Sequence, residues 1–178
     1  MSLTFKKIVS KEDPVFHLCW DLYCSAFPLE ERRELDYQLE TLESPYFSFD
    51  AIYDCDKLVG FIGLWEFDEI IYIEHLAIFD NMRNGGYGRK VLADLAARTS
   101  KMILLEVEHP EEEIQHRRIN FYKKQGFVMN DHFYAHPSYH GEDPVELLIM
   151  TYPQAISSEE LDKFKEQNFP RIHFRYIE

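Results

Sequence analysis

The stretch IIYIEHLAIFDNMRNGGYGRKVLADL, residues 70–95, decides the reading of this chain. Its first part, Ile70 to Phe79, is a β-branched and aromatic run that predicts a strand, and it stops abruptly at Asp80-Asn81. The loop Arg83-Asn84-Gly85-Gly86-Tyr87-Gly88 then runs straight into a helix beginning near Arg89, marked by the stripe Val91, Leu92, Leu95, Ala96 and Thr99. A strand, a glycine loop and a helix N-terminus make an anion cradle. The helix start carries roughly half a positive charge and unpaired N–H groups, and glycines let the backbone approach a ligand. Arg83 and Arg89 add two cations.

Those cations matter because the rest of the chain lacks them. Nineteen Lys and Arg against 32 Asp and Glu leave a net charge of −13, a field that repels nucleic acid and anionic membrane surfaces as general partners. An anionic cofactor is then expected only at a local site such as this loop. The 178 residues, 46% of them apolar, suit one ordinary soluble domain. No apolar run approaches the ~20 residues of a membrane span, and Met1 to Lys11 do not read as a signal peptide. Cys19, Cys24 and Cys55 have no metal or redox spacing, so reduced thiols in a cytoplasmic chain are expected.

Outward from the loop, the elements alternate in type. Phe16, Cys19, Trp20, Tyr23 and Phe27 predict an amphipathic helix after Asp13-Pro14, and Pro28 to Leu42 a second helix or helical turns ending before Ser44-Pro45. Ser48 to Tyr53 and Leu58 to Glu66 read as a hairpin around Asp54 to Lys57. After the loop and its helix, Met102 to Glu108 is a strand, about Ile114 to Gln125 a helix closed by Gly126, and Phe127 to Met129 and Val145 to Tyr152 two more strands. Beyond Pro153, Ser157 and Glu160 match a capping box, and Arg171 to Ile177 alternate as a last strand that could pair between protomers of a homodimer. The expected class is α+β, with antiparallel strands first and a βαβ unit inside.

Spacing then discriminates among the ligands of such a loop. A P-loop needs Gly-Lys followed by Ser or Thr, but Gly88 is followed by Arg89, Lys90 and Val91; a dinucleotide fingerprint needs a third glycine at Val91. The pattern that fits is Arg-x-x-Gly-x-Gly at Arg83, Gly86 and Gly88, which resembles the pyrophosphate loop of the GNAT superfamily of acetyl-CoA-dependent N-acetyltransferases. Asn120-Phe121-Tyr122-Lys123-Lys124-Gln125-Gly126-Phe127 downstream is similar to the same family's Phe-Tyr-x-x-x-Gly-Phe signature. The resemblance covers roughly residues 3–152. It implies a mostly antiparallel twisted sheet with a splayed, parallel fourth and fifth strand, and leaves residues 153–178 as a helix–strand extension.

It also implies roles. Arg83, Asn84, Gly85, Gly86, Tyr87, Gly88 and Arg89 would hold the pyrophosphate of acetyl-CoA, and the backbone of Leu76, Ala77 and Ile78 the pantetheine arm, polarising the thioester carbonyl. Tyr122 matches the family tyrosine that protonates the departing thiolate. Glu106 stands where the ribosomal-protein alanine acetyltransferases carry their base, with Glu74 and Glu108 as alternates; Glu106 and Glu108 share a strand face, and such a carboxylate pair would raise one pKa. Where many members have a cofactor-contacting asparagine, this chain has Gln115. His132, His136 and His140 recur every four residues, but Pro137 interrupts them and no metal is expected; with Tyr134 and Tyr139 they are expected to border an acceptor pocket. The expected activity is acetyl transfer to a primary amine, small molecule or peptide and cationic, by direct attack in a ternary complex. The alternative is a GNAT-fold protein that binds acyl-CoA without turnover.

Overall fold

The computed structural model describes residues 3–177. The chain divides into two compact units, the first running to Phe67 and including Ile73–Ser100, the second comprising Asp68–Tyr72 and everything from Lys101.

In the first unit the order is β1 (Thr4–Lys7), α1 (Phe16–Ala26), α2 (Leu35–Thr41), β2 (Phe47–Asp54), β3 (Lys57–Glu66), β4 (Ile70–Ile78) and α3 (Tyr87–Arg98). The strands β1, β2, β3 and β4 lie in that order, with β1–β2 and β2–β3 antiparallel and Ala51 opposite Phe61. Helix α1 buries Phe16, Cys19, Leu22 and Tyr23, one face at helical spacing, and stops at Phe27, which the following Pro28 holds extended. Tyr23 meets Phe49 and Phe61 edge-on at 6.4 and 5.9 Å. Burying each such ring contributes about 1.5–3 kcal/mol, so Phe61→Ala would cost roughly 3–5 kcal/mol. At Gly60, a Cβ would stand 2.1 Å from the Ala77 carbonyl oxygen, so β3 and β4 come this close only because that side chain is missing. Pro28 to Leu42, expected as a helix or helical turns, forms a short turn at Leu29–Glu31 followed by α2.

The second unit holds the start of β4, then β5 (Met102–Val107), α4 (Glu113–Lys124), β6 (Val128–Asn130), β7 (Ala135–His136), β8 (Val145–Glu146), β9 (Leu148–Tyr152) and α5 (Ser158–Ile172). The first residues of β4 run parallel beside β5, β9 is antiparallel to both β5 and β6, and β7 and β8 pair apart from the sheet. The mixed sheet is the α+β arrangement expected.

One strand goes unforeseen and two expectations are corrected. β1 was invisible because Thr4–Lys7 is a short edge strand, largely exposed, with no apolar alternation. The expected strand Val145–Tyr152 is two, β8 pairing with β7 and β9 with the main sheet. The expected strand Arg171–Ile177 is the last turn of α5 and the turn after it: the Ser157–Glu160 capping box starts the helix, Leu161, Phe164, Asn168 and Ile172 make its buried stripe, and it continues past Pro170. The alternation misled because Ile172 is buried while Phe174 and Tyr176 stay 40% and 46% exposed. That segment therefore offers no edge strand to a second protomer. Buried Asn130 ties β6 to the chain entering α5, its Nδ2 donating to Thr151 Oγ1 at 2.9 Å and its Oδ1 accepting from the Ile156 N–H at 2.9 Å.

Candidate active site

In the first unit, the strand-loop-helix arrangement forms as expected. Gly86 caps α3 in the left-handed conformation, φ +72°, with no side chain among the described residues bonded to the helix start, and Asn84 is left-handed at φ +65°. The helix begins at Tyr87, two residues earlier than the sequence suggests. A Cβ on Gly86 would meet only Arg89 Nη2, at 3.7 Å. Arg83 is exposed and paired with Asp80 at 2.8 Å. Tyr87 donates its hydroxyl to Asp54 Oδ2 at 2.9 Å, and that carboxylate holds the phenol's pKa up; Lys90 Nζ lies 4.9 Å from its ring centroid. An uncapped helix start, a glycine at its mouth and nearby cations are the chemistry of a phosphate-bearing ligand. Upstream on β4, Ala77 is buried and Leu76 and Ile78 are half-buried.

Glu74 departs from its expected part as an alternate base. Its side chain is shut off from solvent, gripped by both terminal nitrogens of Arg33 and by Trp65 Nε1 at 3.1 Å. Burial pushes its carboxyl up, but the Arg33 guanidinium and the His75 ring nitrogen 3.7 Å away outweigh that and hold it well below the usual carboxylate range. A carboxylate so stabilised is a poor proton acceptor. His75 in turn bonds the Glu31 carbonyl at 2.8 Å.

In the second unit, Glu106 on β5 is the centre of a polar cluster. Its Oε2 accepts from the Tyr72 hydroxyl at 2.9 Å; its Oε1 accepts from the Tyr134 hydroxyl and from His136 Nδ1, the latter at 2.9 Å. Glu106 and His136 side chains are 11% and 7% exposed, so the carboxylate is nearly dry yet well provided with donors. Tyr134 and His136 are brought to Glu106 by the β6–β9 connection, and Tyr72 by the start of β4. Sequence reading placed Tyr134 and His136 near a pocket but missed Tyr72, which lies 34 positions from Glu106 with no local signal.

The expected pairing of Glu106 with Glu108 does not form. Glu108 lies beyond the end of β5 and binds Arg118 at 2.9 Å. Tyr122, on α4, is half-buried and packs against Phe121 and Phe127 at 5.2 and 5.7 Å; burial pushes its phenol up. Gln115 is committed to the cap of α4, where its Oε1 accepts from the N–H groups of Glu111 and Glu112 at 2.8 and 2.6 Å. His132 bonds the Ile156 carbonyl at 2.8 Å. Among the described residues no group of three or more His, Cys, Asp or Glu is placed to hold a metal ion, and no helix is long and apolar enough to cross a membrane.

Residues 13–127 match the Acetyltransferase (GNAT) family. The chain is similar to the putative acetyltransferase YjbC of Bacillus subtilis (strain 168), 28% identical over 152 residues, which is 83% of this chain and 77% of that protein. It is also similar to a solved putative acetyltransferase from the GNAT family of Bacteroides thetaiotaomicron, 32% identical, covering 96% of this chain and 98% of that one with a TM-score of 0.88. A GNAT family acetyltransferase from Elizabethkingia anophelis, solved with acetyl-CoA bound, shares the fold at 16% identity, over 84% of this chain and 97% of that one, with a TM-score of 0.59.

Proposed function

The chain belongs to the GNAT acetyltransferase family, and on that footing we propose that it moves the acetyl group of acetyl-CoA to the primary amine of a small-molecule or peptide acceptor, by direct attack in a ternary complex. The observation that carries the reading is the uncapped start of α3 behind left-handed Gly86, flanked by Arg83 and Arg89. In a chain of net charge −13 it is a local concentration of positive potential suited to a pyrophosphate. Asn84, Gly85, Tyr87 and Gly88 complete the loop, and the backbone of Leu76, Ala77 and Ile78 takes the arm and polarises the thioester carbonyl.

Amines attack only when neutral, so one group must remove the ammonium proton and another supply a proton to the leaving thiolate. Glu106 is the acceptor of the first proton. Its hydrogen bonds from Tyr72, Tyr134 and His136 hold the carboxylate in one orientation. Tyr122 is the donor of the second; burial pushes its pKa up, so it stays protonated at neutral pH and can hand its proton to sulfur. The amine nitrogen bonds to the acetyl carbon, the carbon–sulfur bond breaks and CoA leaves as the free thiol; the nitrogen loses its second proton to solvent, from which Tyr122 is reprotonated. The excess of carboxylates favours a cationic acceptor.

The test is a panel of amines, comprising peptide N-termini, lysine, polyamines and aminoglycosides, assayed with acetyl-CoA for free-thiol release and acetylated product. Release with at least one amine supports the reading. Acetyl-CoA binding by calorimetry without release on any of them supports the non-catalytic alternative.

A further inference from the structure

The C-terminal helix lies outside the residues that match the family, yet it touches every donor that the Glu106 carboxylate uses. Phe164 meets the Tyr72 ring at 6.0 Å and 74°. Phe169 meets the Tyr134 ring at 6.0 Å and 78°. His173, which caps the helix, meets the His136 ring at 4.8 Å and 81°. All three contacts are edge-on. The α5 rings also brace one another, Phe164 with Phe169 at 6.0 Å and Phe169 with His173 at 5.8 Å. Tyr139 adds a ring against both histidines, at 5.0 and 5.2 Å.

A phenol O–H prefers the plane of its ring and an imidazole N–H is fixed in that plane, so an edge-on neighbour that restricts ring rotation also restricts where the hydrogen points. The restriction is most visible at His136. Its Nδ1 faces Glu106, while Nε2 is buried with no hydrogen-bond partner among the described residues. A buried N–H without an acceptor is costly, so this packing favours the tautomer with hydrogen on Nδ1, the one that donates to Glu106. The helix is itself anchored beside Tyr72: Lys163 Nζ binds Glu69 Oε2 at 2.7 Å, in the turn that leads into β4.

We propose that α5 and its cap are a positioning element of the reaction: Phe164, Phe169 and His173 fix the rings of Tyr72, Tyr134 and His136, and through them aim the Glu106 carboxylate. These residues touch neither substrate. The proposal rests on the reading of Glu106 as proton acceptor, and it gives the extension beyond Tyr152 a part in turnover.

The experiment compares the full-length protein with Phe169→Ala, His173→Ala, His173→Phe and Glu106→Gln. Phe164 is left intact because it is a fully buried core ring, whereas Phe169 is half-buried and tolerates truncation better. Turnover is measured with acetyl-CoA and the amine that gives the fastest thiol release in the panel above, and the His136 ring nitrogens are followed by 15N NMR. Phe169→Ala and His173→Ala are expected to lower kcat by about tenfold, on the scale of a misaligned reacting group, with KM for acetyl-CoA unchanged. His173→Phe restores most of the loss, since the ring and not its nitrogens does the packing. In the NMR spectrum the wild type and His173→Phe show His136 protonated on Nδ1, and His173→Ala a mixture of tautomers. The proposal is overturned if kcat and the tautomer are unchanged in both alanine variants, or if kcat falls only together with a matching rise in KM for acetyl-CoA and the tautomer stays fixed. Full turnover in Glu106→Gln, or no turnover with any amine, removes the reading of Glu106 instead, and the tautomer result then decides whether α5 sets the cluster.

Discussion

Arg33 holds Glu74 by a two-pronged grip, Nη1 to Oε2 and Nη2 to Oε1 at 2.7 Å each, with neither side chain open to solvent. The guanidinium lies among the rings of Tyr37, Phe47 and Trp65, at 5.1, 5.9 and 5.7 Å from their centroids. Two charges buried this deeply stand or fall together.

Removing one partner leaves the other unpaired in a dry site, so Arg33→Met or Glu74→Gln is expected to destabilise by about 3–5 kcal/mol. The double replacement Arg33→Met with Glu74→Leu is expected to be milder than either single change, because no orphan charge remains. Urea unfolding at pH 7 checks both; a double variant less stable than either single would contradict the account.

The same pair carries a pH dependence. Glu74 is held well below the ordinary carboxylate range in the folded protein, so its contribution is complete above the unfolded pKa of about 4.3 and is lost as pH falls through the lower, folded value. The stability difference between wild type and Glu74→Gln should be constant near neutrality and close only below about pH 4. Unfolding midpoints measured from pH 7 to pH 3 test the direction.

Gly86→Ala forces a side chain into a left-handed backbone, at a cost of about 1–2 kcal/mol. Since a Cβ there meets nothing closer than Arg89 Nη2 at 3.7 Å, the strain is conformational, not a clash. The expected consequence is a Kd for acetyl-CoA weakened by about tenfold, equivalent to about 1.4 kcal/mol. Unchanged affinity by calorimetry would take the phosphate site away from this loop.

Tyr122→Phe should lower kcat by about a hundredfold, the lower range for loss of a general acid, with KM for acetyl-CoA unaffected. Burial pushes the phenol above its ordinary pKa of about 10, so ionisation of Tyr122 should cause no loss of rate below about pH 10. A pH–rate profile with an alkaline limb that disappears in Tyr122→Phe and has its midpoint well under that value would refute the assignment.

Thiol labelling should follow burial. Cys55 is exposed in the β2–β3 turn, whereas desolvation pushes the buried Cys19 thiol up to about 12 and raises that of Cys24 as well. Iodoacetamide at pH 8 is expected to modify Cys55 first and Cys19 only on unfolding, as read by peptide mass spectrometry.

What could be read in the sequence was what is contiguous in it. The anion loop occupies one short stretch, Arg83 to Arg89, and its strand and helix follow from local periodicity alone. The Glu106 cluster draws on positions 72, 106, 134 and 136, so only the pairing of β4, β5 and β9 and the long connection after β6 could assemble it. Glu74 looked available for catalysis because its partner Arg33 stands 41 positions upstream, with no local signal joining the two. At the C-terminal end two local signals conflicted. The alternation of Ile172, Phe174 and Tyr176 suggested a strand, and the buried stripe from Leu161 to Ile172 prevailed because burying four side chains outweighs a pattern that leaves Phe174 and Tyr176 in water.

Gly60 limits how this chain can vary. With the Ala77 carbonyl oxygen 2.1 Å from where a Cβ would stand, no other amino acid fits without moving the β4 backbone, which carries Glu74, Leu76 and Ile78 on one face. In a saturation library of β3, this position should accept glycine alone while its neighbours tolerate conservative exchange. Over longer times it is a ratchet: any lineage that gains a side chain there must rebuild the strand that presents Leu76, Ala77 and Ile78.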